Sequence, residues 1–321
     1  MTLNRKLLAA SVLLCICASS FAQDYPVRPI RMILGFAPGG STDLVARVVA
    51  AKMTESWGHQ AVVDNRPGAN GMIGADLVAK ANPDGYSLLL SSIGPMAINA
   101  SLYKMPYDIV ADFAPITYTG NVTNLLVVHP TVPVTNVKEL IALAKAQPGK
   151  LTFGSSGTGS LTHMVVELLS VVAAVNFTHV PYKGVTGAYT DVIGGRIDFL
   201  ADSPASMMPQ VRGGRMRGLV VTAPKRLPTF PGVPTVAELG MADAEADFTT
   251  GLLAPPGTPA PVFARLQAES LKVAQSPEFH AYLATQGYEP LAADGAAFGK
   301  VIKEGLAKWE RVVRERNIKV E

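Results

Sequence analysis

Short runs of β-branched and leucine-rich residues alternate along this chain with longer stretches whose apolar residues recur at helical spacing. A short apolar run bounded by turn residues reads as a buried strand, and a 3.6-residue period reads as a helix laid on a sheet. On that basis residues 30–34 form a strand, 42–57 an amphipathic helix, 61–64 a strand and 71–81 a helix. A strand at 87–91 follows the turn Pro83-Asp84-Gly85. A second series opens with a strand at 125–129 and a helix at 137–146. It continues with strand 151–154, helix 160–172, strand 177–180, helix 184–193, strand 199–202, helix 206–212 and strand 219–222. Proline-rich breaks occupy 227–234 and 255–261. The remainder from Val262 reads as mostly helical, with Trp309 and Val313 on one face of the last helix. Such alternation predicts an α/β protein with mainly parallel sheets.

The two series share a design. In each, a strand feeds a glycine- and serine-rich loop that opens a helix. The first loop is Ala37-Pro38-Gly39-Gly40-Ser41-Thr42-Asp43 and the second Gly154-Ser155-Ser156-Gly157-Thr158-Gly159-Ser160. The first turn of a helix leaves backbone N–H groups without intrahelical partners, and the helix dipole adds partial positive charge there. Glycines admit a ligand close to the backbone and hydroxyls add donors. A loop of this kind holds an anion without arginine or lysine, and neither loop contains one. The same residues also suit an ordinary turn in which Ser41, Thr42 or Ser160 caps a helix. Either loop alone leaves those roles open. Two of them facing across a cleft would make a clamp.

Composition changes the picture mainly at the N-terminus. Arg5 and Lys6 precede a short apolar core at 7–17, and Ser20-Phe21-Ala22 places small residues where a signal peptidase reads, so cleavage after Ala22 is expected. The core is far short of the roughly 20 apolar residues that span a bilayer. Leu14 and Ile16, both bulky, precede Cys15 and Cys17, which argues against lipid modification. Both cysteines of the chain lie in this segment, so the mature protein would have no disulfide, thiolate nucleophile or cysteine-bound metal. It would carry 26 basic and 25 acidic side chains, with no basic cluster that suggests nucleic acid.

Several chemistries lack their signatures. No Gly-Lys-Ser/Thr ends either loop, and Thr162 stands where the dinucleotide fingerprint requires its third glycine. A hydrolase elbow needs Gly-x-Ser-x-Gly, whereas Gly154-Ser155-Ser156-Gly157-Thr158 ends in Thr. The histidines 59, 129, 163, 179 and 280 show no metal-ligand spacing.

An ordered set of motifs resembles one family, the periplasmic receptors of tripartite tricarboxylate transporters (TctC-like or Bug proteins). It runs from Tyr25-Pro26-Val27-Arg28-Pro29-Ile30-Arg31 through Pro38-Gly39-Gly40-Ser41-Thr42-Asp43 with Ala46-Arg47. It continues with Asn65-Arg66-Pro67-Gly68-Ala69-Asn70-Gly71, Ala79-Lys80-Ala81-Asn82-Pro83-Asp84-Gly85-Tyr86, Asn99, Leu102-Tyr103 and Asp112-Phe113. Further on come Ser155-Ser156-Gly157-Thr158-Gly159-Ser160 with His163, His179-Val180-Pro181-Tyr182-Lys183-Gly184, Asp191, Gly195-Arg196-Ile197-Asp198 and Ala254-Pro255-Pro256-Gly257-Thr258-Pro259. Two positions depart from the family pattern and bear on ligand identity: Phe248-Thr249-Thr250 before Gly251-Leu252, and Ser203 after Asp202.

The resemblance implies a two-lobed, Venus-flytrap α/β fold of the periplasmic-binding-protein type. One lobe would be 23–122 plus 252–321 and the other 123–251, joined by crossing hinge strands. It implies a receptor that captures a small carboxylate and hands it to membrane permease subunits. It would be a monomer without cofactor, catalysis or membrane insertion. The alternative role is a ligand sensor feeding a sensor kinase, and a periplasmic hydrolase is the more distant rival. Phe36, Pro38, Gly39, Gly40, Ser41 and Asp43 of the first loop would cradle the carboxylate, with Ser155, Ser156, Gly157, Thr158, Gly159 and Ser160 of the second. Ser91, Ser92, His163, Tyr182, Lys183 and Asp202 are further cleft candidates, and Asp202 is expected at the far end of the site.

Exported protein should begin at Gln23 and fail to react with thiol reagents even when unfolded. An intact mass that retains residues 1–22, or that carries a lipid, would overturn this.

Overall fold

The computed structural model describes residues 25–39, 41–246, 248–286 and 288–320, so the export signal read at 1–22 lies outside the described residues. The chain builds two sheets. Strand β1 (Ile30–Leu34) leads into helix α1 (Ser41–Trp57). Then come β2 (Ala61–Asn65), α2 (Met72–Ala79), β3 (Ser87–Ser92), α3 (Ile93–Leu102) and β4 (Ala114–Val122). The second sheet is made by β5 (Leu125–Val128), β6 (Thr152–Ser155), β7 (Thr178–Pro181), β8 (Phe199–Asp202) and β9 (Arg217–Val221). Its helices are α4 (Val137–Ala146), α5 (Leu161–Ala173), α6 (Val185–Ile193) and α7 (Pro204–Arg212). The chain then returns through β10 (Phe248–Ala254), α8 (Ala260–Ala274), α9 (Pro277–Thr285), β11 (Tyr288–Asp294) and α10 (Gly295–Glu315).

The first sheet runs β11-β4-β10-β3-β1-β2 and the second β7-β6-β8-β5-β9. Pairing corrects the expectation of mainly parallel sheets. β1 pairs parallel with β2 and β3, and β6 with β7 and β8. By contrast β10 runs antiparallel to β3 and β4, β11 to β4, and β5 to both β8 and β9. Only the βα repeats are parallel; the strands that carry the chain between sheets, or close an edge, reverse direction. Apolar pattern reports burial, not strand direction.

Three elements escaped the pattern: α3, β4 and β11. α3 is buried on nearly every side from Ile93 to Asn99, so it shows no amphipathic stripe, and Gly94 and Pro95 disguise it further. Gly94 is required there, because a Cβ would lie 1.9 Å from Phe248 Cδ1. β11 sits in the stretch expected to be mostly helical. It is an edge strand whose pairing with β4 is interrupted between Pro290 and Ala293, a place where proline is tolerated.

Capping explains why α4 and α10 begin where they do. Asn136 Oδ1 accepts from the Glu139 N–H at 3.0 Å while Glu139 Oε2 accepts from the Thr135 N–H at 2.6 Å, a reciprocal cap. Asp294 Oδ1 accepts from the Ala297 N–H at 2.9 Å. From there α10 buries Phe298, Ile302, Trp309 and Val312 along one face, packs on α3 and β4, and extends to α5.

The chain crosses between the sheets twice, between β4 and β5 and between β9 and β10, and the crossings are bonded to each other. The Asn124 N–H donates to Thr222 Oγ1 at 3.0 Å. The Thr222 N–H donates to the Asn124 carbonyl at 2.9 Å, and the Ala246 N–H to the Thr222 carbonyl at 3.2 Å. Thr123, Asn124 and Thr222 are all buried. Thr222→Val keeps the shape but removes the acceptor for the buried Asn124 N–H. It should cost about 1–3 kcal/mol in urea unfolding. An unchanged midpoint would show that this bond does not hold the crossing.

Candidate functional site

A cavity of about 330 Å³ opens where the loop-to-helix starts of the two lobes meet. The first lobe contributes Phe36, Thr42, Asn70, Ser92 and Pro95, and the second Ser156, Ser160 and Leu161. Val122 and Phe248 line it from the crossing strands. Three helices begin at this space: α1 near Thr42, α3 at Ile93 and α5 at Leu161. None of the described lining residues is charged. Ser92 is 6% exposed, precedes α3 without capping it, and its hydroxyl has no hydrogen-bond partner among the described residues.

Of the expected site residues, Phe36, Ser92, Ser156 and Ser160 line this cavity. Gly40 and the side chain of Ser41 lie outside the described residues. Others stand behind it. Asp43 is buried and fully engaged: the Gly39 N–H donates to its Oδ2 at 2.9 Å, Arg47 Nε at 2.8 Å, and Asn65 Nδ2 reaches its Oδ1 at 2.9 Å. Burial pushes the Asp43 carboxyl up, but Arg47, the Gly39 N–H and Asn65 outweigh it and hold it below the usual carboxylate range. Asn65 Nδ2 also donates to the Phe36 carbonyl at 3.0 Å. Asp43 thereby ties the first loop to Arg47 and Asn65, and it does not line the cavity. Pro38 and Gly39 are exposed at its tip.

The second loop divides in the same way. The Ser156 N–H and hydroxyl meet Thr162 Oγ1 at 2.9 and 3.1 Å, and Ser160 Oγ meets it at 3.2 Å. The α5 start is thus cross-linked to the loop. Ser155, completely buried, turns away from the cavity: its hydroxyl contacts His179 Nε2 at 2.6 Å and accepts from the Gly157 N–H at 3.0 Å. Gly157 is half-buried and Thr158 exposed, and neither lines the cavity. His163 is buried and takes the Gly159 N–H on Nδ1 at 3.1 Å.

The remaining candidates do not reach the cavity. Ser91 is buried, its hydroxyl directed at the Ser92 carbonyl. The Tyr182 hydroxyl donates to Asp191 Oδ2 at 2.5 Å, and burial together with Asp191 pushes its pKa up to about 12. Lys183 is exposed. Asp202, expected at the far end of the site, does not line the cavity either. The Tyr189 hydroxyl and the Ser203 N–H occupy its oxygens, and burial raises its pKa. Sequence reasoning missed Thr42, Asn70, Pro95, Leu161, Val122 and Phe248. Asn70 carried a signal, lying in an Asn-Gly turn. Its side chain donates to Asn99 Oδ1 at 2.7 Å, and Asn99 Nδ2 returns a bond to the Asn70 carbonyl at 2.9 Å.

The tripartite tricarboxylate transporter family receptor model matches residues 45–318. The Protein BugT of Bordetella pertussis is 36% identical over 307 residues, 95% of this chain and 94% of its own length. A solved R. palustris protein with adipate is similar with 34% identity and a TM-score of 0.79, over 92% of this chain and 99% of that one. The periplasmic binding protein BugD gives 33% identity and a TM-score of 0.76, over 92% of this chain and all of that one. The two-lobed architecture is therefore that of periplasmic solute-binding proteins.

Behind the second loop the rings of His163 and His179 stack 3.9 Å apart. Burial, and then the neighbouring His163, lower the His179 pKa from 6.5 to about 4. A base whose folded pKa is depressed binds its proton more readily when unfolded, so its contribution is complete above 6.5 and is lost as pH falls toward about 4. His179→Gln should shrink the drop in urea midpoint between about pH 7 and about pH 5. An undiminished drop would place the titrating group elsewhere.

Proposed function

The chain belongs to the tripartite tricarboxylate transporter receptor family, and from that premise we propose that it is a periplasmic receptor that closes around a small carboxylate and delivers it to membrane permease subunits. The observation that carries this reading is the cavity itself: three helix starts, hydroxyl and amide donors from both lobes, and no charged residue among the described ones that line it. A carboxylate placed there meets fixed N–H and O–H dipoles, each helix start contributing about 0.3–1 kcal/mol and up to ~2 when partly buried. Such holding is reversible, as delivery requires. Phe36, Pro95, Val122, Leu161 and Phe248 suit the carbon body of the ligand. A volume of about 330 Å³ lies at the small end of ligand sites, which favours a short mono- or dicarboxylate, and the similar R. palustris protein was solved with adipate.

The bodies that close would be 23–122 with 252–321, and 123–251. The hydrolase reading gains nothing from the Ser155–His179 contact, because Ser155 is completely buried and directed away from the cavity.

A thermal-shift screen of mono- and dicarboxylates on the mature protein should return at least one stabilising ligand; at about 100 times its Kd it adds ~2.7 kcal/mol. Ser92→Ala then gives effects of opposite sign. Losing a hydroxyl that bonds a charged acceptor should weaken binding roughly 10- to 100-fold by calorimetry. Removing a buried, unpartnered hydroxyl should leave the free protein as stable or more stable. A silent screen, or Ser92→Ala binding as well as wild type, would sink the reading.

A further inference from the structure

We propose that Arg316, at the C-terminal end of α10, is a positioning residue for the second ligand loop and acts across the lobe boundary through Glu167 and His163. Arg316 Nε donates to Glu167 Oε2 at 2.5 Å, and its Nη1 donates to Asn176 Oδ1 at 2.8 Å. The other Glu167 oxygen, Oε1, lies 3.4 Å from His163 Nε2. His163 Nδ1 accepts the Gly159 N–H, so in the neutral ring the proton sits on Nε2 and points at Glu167. Four groups thus form one line from the last helix to the loop that opens α5.

This line differs from a surface ion pair. The side chains of His163 and Glu167 are only 4% and 8% exposed, and that of Arg316 21%. Burial pushes the Glu167 carboxyl up, yet His163 and Arg316 outweigh it and keep it below the usual range. Removing Arg316 would leave that carboxylate buried without its cation, a costly state that the surroundings relieve by moving. The nearest movable groups are His163 and the backbone it holds.

Gly159 is pressed from behind at the same point. Its φ is +74°, and a Cβ there would lie 2.7 Å from Leu102 Cδ1 and 3.4 Å from Val320 Cγ1. Leu102 ends α3 and Val320 follows α10, so both belong with the first lobe. The rear of the loop is therefore set by first-lobe side chains and by Arg316, while its front presents Ser156 and Ser160 to the cavity. The stacked His179 ring leaves His163 little room to rotate. Arg316 thereby controls how squarely the α5 start faces the cavity, without touching anything in it. The consequence for affinity rests on the carboxylate reading; the positioning itself does not.

Amide exchange in ligand-free protein, read residue by residue by NMR, tests this together with the nitrogen shifts of the His163 ring. In Arg316→Ala the Gly159 amide should exchange roughly tenfold faster while the amides of β8 keep their rates, since the opening is local. Arg316→Lys should restore most of the protection, and Glu167→Gln should reproduce the loss should Arg316→Ala not fold. Affinity for the best carboxylate of the screen should fall in parallel. Unchanged Gly159 exchange with an unchanged His163 tautomer overturns the proposal, as does acceleration spread evenly through β8. Local acceleration in a protein that binds no carboxylate sustains the positioning and removes the ligand assignment instead.

Discussion

One aromatic ring sets the geometry on which the site depends. Phe248 begins the strand by which the chain returns to the first sheet, and its ring excludes any side chain at Gly94 in the first turn of α3. It also stacks on Trp309 of α10, with the centroids 6.0 Å and the planes 9° apart. The same residue lines the cavity. The crossing, the α3 start and the last helix are thus registered on one rigid group, and close packing of this kind transmits displacement instead of absorbing it.

Charge is used to hold loops, and none of the described residues that line the cavity carries any. Asp43 is spent on Arg47, Asn65 and the Gly39 N–H, and Glu167 on Arg316 and His163. A cationic side chain in the cavity would bind an anion more tightly, but would have to be desolvated with it and would slow release. Neutral dipoles aimed by charged struts behind them would give an anion orientation with modest affinity. The unpartnered Ser92 hydroxyl fits this economy, because burying a polar group unsatisfied is costly unless something later bonds to it.

The repeated strand, glycine–serine loop and helix were legible because the change from apolar run to helical period survives in the one-dimensional pattern. α3 was not, since a helix buried all round has no stripe, and β11 was hidden by Pro290 at an edge. Strand direction left no trace in the pattern at all. In the site, Phe36, Ser92, Ser156 and Ser160 of the expected residues line the cavity, and others of both loops stand behind it. Whether a hydroxyl or carboxylate faces the cavity depends on partners far along the chain: His179 for Ser155, Asn65 for Asp43 and Tyr189 for Asp202. Asn70 depends on Asn99, 29 residues away. Residue type announces the chemistry of a position, and only folding decides which way it points.

The cavity exists only where the two lobes meet, and this links binding to shape. Thr42, Asn70 and Ser92 come from one lobe and Ser156 and Ser160 from the other, so a ligand gains its full set of donors only when both loops are presented together. A ligand shifts a conformational equilibrium by its difference in affinity for the two states. On the carboxylate reading that difference would be the contribution of one lobe's donors, since separating the loops would leave the ligand with those of the other lobe alone. Such a separation would require the crossings to rotate while keeping their own polar groups satisfied. The Asn124 N–H, bonded to the Thr222 hydroxyl, and the Thr222 N–H, bonded to the Asn124 carbonyl, are placed to do that. A hinge whose hydrogen bonds run between its own strands can bend without losing them.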